Sequence, residues 1–357
     1  MSNQPTKSAR SSARTLGRRE FIGGGAALIL SSPSIVRAQT KTIVMTSSGG
    51  IYEKNFRAAV LTPFEEKHGV KFQMKYGSPG EWLTNAMVNR DDPEIDLLFL
   101  VLPIAIKASR TPGIFLELTP AMVPNIRDVD PVFYDVYNRM AVGFNYVDAG
   151  IAYRTDVVSK PPVAWADLWD PRFKGQVMVS DVTGPWPYEM VVIAAILNGG
   201  SATNLEPGFE AMKRLRPNVA RWFKTSNEVI TALERKEAAV AMAGSFRTYS
   251  MKDAGVPVDY VIPKEGAPVG VLSFHVPTKA RNRDLLLEFI NFAIDKDQQT
   301  VFGNDMQSGV VNRNAVLKPE IAKRTVPVDK LMRIDWQAVA PQMTNIVSRM
   351  QREVIAR

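Results

Sequence analysis

The chain has 357 residues and a formal net charge of +8, but residues 1–38 hold six of the basic residues and one acid, so the remainder stands at +3. With no cluster of Lys and Arg in that remainder, no nucleic-acid partner is expected. There are no cysteines and two histidines, His68 and His275. Thiolate chemistry, iron–sulfur clusters, thiolate zinc and imidazole-rich metal sites are therefore excluded, and no cofactor or metal is expected.

In chain order the first signal is an address. Arg18 and Arg19 precede Phe21, an apolar run covers residues 21–30, and Val36-Arg37-Ala38 ends in a small residue. A charged start, a short apolar stretch and a small-residue cut site make a secretory signal peptide, here residues 1–38, with cleavage expected near Ala38. The paired arginines fit the twin-arginine type, an address read by a receptor and not an anchor. The apolar run is far shorter than the ~20 residues that span a bilayer. An exported, periplasmic protein follows as the expectation.

KTIVMT (41–46) reads as a buried strand, and Ser47-Ser48-Gly49-Gly50 as the turn after it. Residues 51–68 place Phe56, Ala59, Val60 and Phe64 on one helical face, with Pro63 disturbing the helix and Gly69 ending it. VKFQMKY (70–76) alternates like a strand. Ser78-Pro79-Gly80-Glu81 is a capping box opening a helix over 81–90. IDLLFL (95–100) is continuously apolar, as buried parallel strands are. This rhythm predicts an α/β fold with mostly parallel sheets.

The rhythm breaks at NYVDAGIAY (145–153), then restarts with the strand QVMVS (176–180) and helices over 186–197 and 227–236. Thr225 and Glu228 form a capping box for the last of these. AAVAMA (238–243) reads as a buried strand. VGVLSFHVP (269–277) is a second break, followed by a helix over 283–294 and a helical pattern over 327–357. Two crossings between two α/β halves predict two lobes with a cleft between them, where ligands favour binding. The expected boundaries are 39–147 plus 273–312 for lobe 1, and 148–272 plus 313–357 for lobe 2.

Several phrases, in order, carry a resemblance: FEEKHGVKF (64–72), GIAYRTDVV (150–158), WADLWDPRFKGQV (165–177), AAVAMAGS (238–245), VIPKEGAPVGVLSFHVP (261–277) and LLLEFINF (285–292). Together they resemble the periplasmic solute-binding proteins of ABC importers, in the branch of the spermidine/putrescine receptors. The resemblance implies a two-lobe periplasmic-binding-protein fold of type II. It also implies capture of a small-molecule solute, delivery to an ABC permease, a monomer and no catalysis. Polyamine receptors of this branch place a Trp–acid–Tyr cluster after the first strand, acids after the first strand of the second lobe, and an aromatic and an aspartate at the second hinge. Here those places hold Ser47, Ser48 and Gly49 with only Tyr52 matching, then Asp181, Thr183, Gly184 and Trp186, then Gly270 to Ser273. At least two amine-binding carboxylates have no counterpart. An unpaired ammonium in a closed cleft costs several kcal/mol. Weak polyamine binding is expected, and a zwitterionic or anionic solute is favoured.

The candidate ligand residues each have a plainer role to weigh. Ser47, Ser48 and Gly49 open a helix, where N–H groups and hydroxyls suit an anion, and they equally suit an ordinary tight turn. Tyr52 stands at the rim or in the core. Asp181, Thr183, Gly184 and Trp186 form a loop with a hydroxyl and an aromatic, or only a stiff Pro-bounded turn. Ser245, Phe246 and Arg247 follow a strand; Arg247 suits a bidentate carboxylate or phosphate, or a surface ion pair. Ser273 lies in the second crossing. The alternatives are an exported hydrolase or transferase, a ferric-iron receptor and a sensory receptor. The chain shows neither the G-x-S-x-G motif of a hydrolase nor the Tyr-Tyr pair of ferric receptors.

Overall fold

Residues 41–356 are described by a computed structural model; the expected leader and its cut site lie outside the described residues. β1 (Lys41–Ser47) pairs in parallel with β2 (Val70–Tyr76), in the register Ile43 to Phe72. The helical segment between them runs from Gly50 to His68 with a wide π turn at Arg57–Leu61. Pro63 is the cause: it has no N–H to give and its ring crowds the carbonyl four residues back, so the preceding turn opens. Gly69 ends the segment at φ 63°. Ser78 caps the helix Pro79–Val88 with the reciprocal Glu81 bond expected of a capping box.

β3 (Leu98–Val101), β4 (Val142–Asp148), β10 (Val269–His275) and β11 (Gly309–Val310) form one sheet in the order β11-β4-β10-β3. β5 (Gly150–Arg154), β6 (Val177–Ser180), β7 (Val219–Phe223), β8 (Val240–Ala243) and β9 (Val258–Val261) form a second large sheet besides the β1–β2 pair and the first, in the order β7-β6-β8-β5-β9. The α/β architecture matches the expectation, but the strand directions are more mixed. β10 runs antiparallel to both β3 and β4, and only β6, β7 and β8 form a parallel set in the second sheet. The reason is connectivity. β4 leaves the first sheet and becomes β5 after one residue, Ala149, and the chain returns through β9 to β10. Outgoing and returning strands that sit side by side oppose each other.

The first sheet packs on a phenylalanine cluster. Phe56, Phe99, Phe144, Phe274 and Phe302 meet with ring centroids 4.7–6.2 Å apart. Each such pair contributes about 0.5–1.5 kcal/mol beyond area burial. The helix Glu189–Leu197, nearly all apolar and buried from Glu189 to Ala195, packs on the helix Glu206–Leu215. It begins three residues later than the sequence pattern predicts, because Pro185 and Pro187 hold the stretch before it in turns. The C-terminal helical pattern begins at Trp336, with residues 331–335 irregular. No helix among the described residues is long and apolar enough to cross a membrane.

Candidate functional site

A cavity of about 300 Å³ lies where the chain passes between the two sheets. One wall comes from Tyr52, Tyr146, Gln307 and Ser308 of the first half. The other comes from Trp186, Ser226, Ser245, Phe246 and Arg247 of the second, and Asp148 stands at the crossing. A second cavity of about 320 Å³ adjoins it on the first-half side, lined by Ser47, Ser48, Glu53, Met74 and Leu272, and Tyr52 belongs to both.

Tyr52 owes its place to the phenylalanine cluster. Its ring lies 5.4 Å from Phe302 and 5.9 Å from Phe99, and its hydroxyl donates to Asn145 Oδ1 at 2.6 Å. Burial raises its pKa well above the usual phenol range. Ser47 is turned back into its own loop: its hydroxyl donates to Glu53 Oε2 (2.7 Å) and accepts from Gly49 N–H (3.0 Å). Gly49 and Gly50 adopt φ of 72° and 68°, conformations that glycine takes without strain. Burial acts to raise the Glu53 pKa, but the bonds from Ser47 and Arg57 outweigh it and hold the carboxyl below its usual range. Ser47 and Ser48 thus face the second cavity, and Gly49 packs toward the Tyr76 ring.

The loop after β6 is placed differently from the expectation for three of its residues. The Asp181 carboxylate accepts from the Thr183 N–H (2.9 Å) and hydroxyl (2.8 Å), so the two close a local turn instead of facing the cavity. Gly184 fits against the Ser180 hydroxyl and the Phe223 carbonyl, where a Cβ would approach to 2.5 and 2.7 Å. The turn delivers Trp186, whose backbone N–H donates to Ser180 Oγ at 3.1 Å and whose side chain reaches the cavity. Ser273 also departs from its expected place. It is fully buried and donates to Leu100 O at 3.2 Å, while its neighbour Leu272 faces the second cavity. Successive strand residues point to opposite faces, so one step along β10 separates cleft from interior.

Ser245, Phe246 and Arg247 form the first turn of the helix Ser245–Asp253. Arg247 is exposed, its guanidinium lies 5.1 Å from the Phe246 ring centroid, and no carboxylate among the described residues pairs with it. Ser245 is committed elsewhere: its hydroxyl and N–H both donate to Asp148, at 2.6 and 3.2 Å.

Asp148 is the residue that sequence reasoning passed over, and it modifies the expectation that amine-binding carboxylates are missing. It is the last residue of β4, is nearly fully buried, and accepts a third bond from the Tyr260 hydroxyl. Burial pushes its pKa up, partly countered by the Ser245 and Tyr260 bonds, and no cation is among its partners. Tyr260 comes this close because residue 150 is glycine; a Cβ there would overlap the phenol. The available signal was an acid at the end of an otherwise apolar strand run, followed by Ala-Gly.

A family model described as bacterial extracellular solute-binding protein matches residues 59–327. The chain belongs to that family. Spermidine/putrescine-binding periplasmic protein of Salmonella typhimurium is 24 % identical over 292 residues, covering 79 % of this chain and 81 % of that one. The protein of that name from Escherichia coli K12 is 25 % identical over 274 residues, covering 74 % and 77 %. The crystal structure of an ABC transporter from Clostridium perfringens superposes with a TM-score of 0.79 at 26 % identity, covering 88 % of this chain and all of that one. The resemblance read from the sequence phrases therefore holds, and this solute-binding protein is a receptor and not an enzyme. In a solute-binding protein, a cavity walled by both halves can hold a molecule that touches both and favours their closed arrangement.

Proposed function

We propose that this chain is the periplasmic substrate-binding component of an ABC importer. It captures a small zwitterionic or anionic solute in the cavity between its halves and delivers it, as a monomer, to a membrane permease. The lobes we assign are 39–147 with 273–312 and 148–272 with 313–357, closing about the crossings near Asp148 and β10. The periplasmic location rests on the relatives' names and on the leader read at 1–38. The observation that carries the solute class is Arg247, a cavity-lining guanidinium without a carboxylate partner among the described residues. A guanidinium offers a planar fork of donors suited to carboxylate or phosphonate. The Ser47–Gly49 loop, Tyr52 and the Trp186 loop shape the rest of the site, the Asp181–Thr183 turn acting through Trp186.

A thermal-shift screen of the protein, without its leader, against amines, amino acids, organic acids and phosphonates tests the assignment. A cognate acid or zwitterion at a hundredfold excess over its Kd adds about 2.7 kcal/mol of stability. Sub-micromolar spermidine binding by calorimetry, with no acid or zwitterion binding, overturns it.

A further inference from the structure

The cavity wall carries one acid and one base, Asp148 and Arg247. We infer that its solute is an amino-acid-like zwitterion held in a single orientation, ammonium against Asp148 and acidic group against Arg247, with an apolar middle between the Trp186 and Phe246 rings. This rests on the inter-lobe cavity being the solute site.

The argument starts from Asp148. A buried carboxylate that stays ionised needs a cation or a metal beside it. Asp148 has three donors from Ser245 and Tyr260 and no cation among the described residues. The phenols around it, Tyr146, Tyr249 and Tyr260, all have raised pKa values, each mainly through burial, so none supplies charge. One of its oxygens, Oδ1, accepts a single bond, from the Ser245 hydroxyl, and retains a lone pair. A bound ammonium would fill that place and supply the missing countercharge.

The other pole follows from chain geometry. Ser245, bonded to Asp148, and Arg247 are two residues apart in the first turn of one helix. Both charges are thus referred to one rigid element, and the spacing between them changes little as the halves move. A diamine would set its second ammonium against Arg247, and a diacid its second carboxylate against Asp148. Each arrangement juxtaposes like charges; the zwitterion alone matches both. Glu53 in the adjoining cavity does not alter this count, because Arg57 already neutralises it at 3.1 Å. The cavity of about 300 Å³ is of the size that small organic ligands occupy.

Calorimetry on the leaderless protein tests the inference. The probes are the ω-amino acids from glycine to 6-aminohexanoate, 2-aminoethylphosphonate, and the half-molecules butylamine and butanoate with putrescine. At least one zwitterion is expected to bind about 10- to 100-fold more tightly than either half-molecule and than putrescine, since each pole adds a charge-assisted hydrogen bond. The carboxylate and phosphonate arms decide which acid Arg247 receives. Arg247→Gln is expected to weaken that zwitterion by about 10- to 100-fold while leaving butylamine unchanged, and Asp148→Asn to weaken it while leaving butanoate unchanged. Because Asp148→Asn also loosens the Ser245 anchor, the wild-type probe series stands by itself as a test. Butanoate binding as tightly as every zwitterion overturns the ammonium pole but leaves anion capture standing. Putrescine binding most tightly overturns both poles. No binding by any probe overturns the reading of the cavity together with the inference.

Discussion

The two walls of the cavity differ in chemistry. The first half offers Tyr52, Tyr146, Gln307 and Ser308, all neutral, backed by a phenylalanine cluster. The second half offers Arg247, and through Ser245 and Tyr260 it holds the one acid, Asp148. The proposed orientation therefore assigns selection by charge to the second half. In that proposal the first half contributes shape and covers a solute oriented by the other wall.

The interiors of the two halves differ as well, and each holds a titratable group shifted far by burial. In the first, His275 is fully buried between the rings of Phe115 and Tyr137, and burial pushes its pKa down to about 4. In the second, Glu189 is buried at a helix start with the Tyr188 N–H on its carboxylate, and burial pushes its pKa up to about 7. Their pH effects oppose. The folded state excludes the His275 proton, so that stability is present above about pH 6.5 and is lost as pH falls toward 4. The folded state retains the Glu189 proton, so that stability is present below about pH 4.5 and is lost as pH rises through 7. Each spans at most about 3 kcal/mol. In urea melts from pH 4 to 8, the two contributions oppose each other between pH 4.5 and 6.5, and each is read as the difference between the wild type and the variant that removes it. Glu189→Gln should flatten the alkaline side and be the more stable protein at pH 8 by up to about 3 kcal/mol. His275→Phe should lose the acid-side fall. Parallel tilts in both variants would contradict the assignment of opposite burdens to the two halves.

A binding test bears on the walls directly. Arg247→Ala should lower affinity for an acid-bearing solute by about 100-fold, measured by calorimetry, on the scale of a lost charged hydrogen-bond pair. Unliganded stability should change by no more than about 0.5 kcal/mol, because the side chain is exposed and holds no ion pair among the described residues. A large fall in unliganded Tm would make Arg247 a structural residue and leave the second wall without its base.

What was legible in the sequence was local. The strands KTIVMT and VKFQMKY, the Ser78 capping box, the disturbance at Pro63 and the Gly69 stop all follow from neighbours within a few residues. Arg247 and Trp186 line the cavity, and each lies in the stretch that follows a strand end. Asp181 was misplaced although its signal was local too: an Asp two residues before a Thr closes a turn on itself. Ser273 was misplaced because strand alternation gives a face only once the register is known, and β10 shifts register between Leu272 and Ser273. Asp148 was invisible for a different reason. Its partners lie 97 and 112 residues further on, so the chain shows an acid in a strand and nothing of what receives it.

The smallest expected effect is the sharpest test of the division between walls. Tyr52→Phe removes the hydroxyl bonded to Asn145 and keeps the ring against Phe99 and Phe302. The buried Asn145 oxygen loses that donor, which costs about 1 kcal/mol of stability. Affinity should fall less than about tenfold, as for one neutral hydrogen bond. The decisive feature is uniformity. A neutral wall acts alike on acids, amines and zwitterions, so the ranking of solutes in calorimetry should be preserved in Tyr52→Phe and altered in Arg247→Ala. A Tyr52→Phe protein that changes its preference between an acid and an amine would place charge selection in the first half, where the cavity has no charged side chain to perform it.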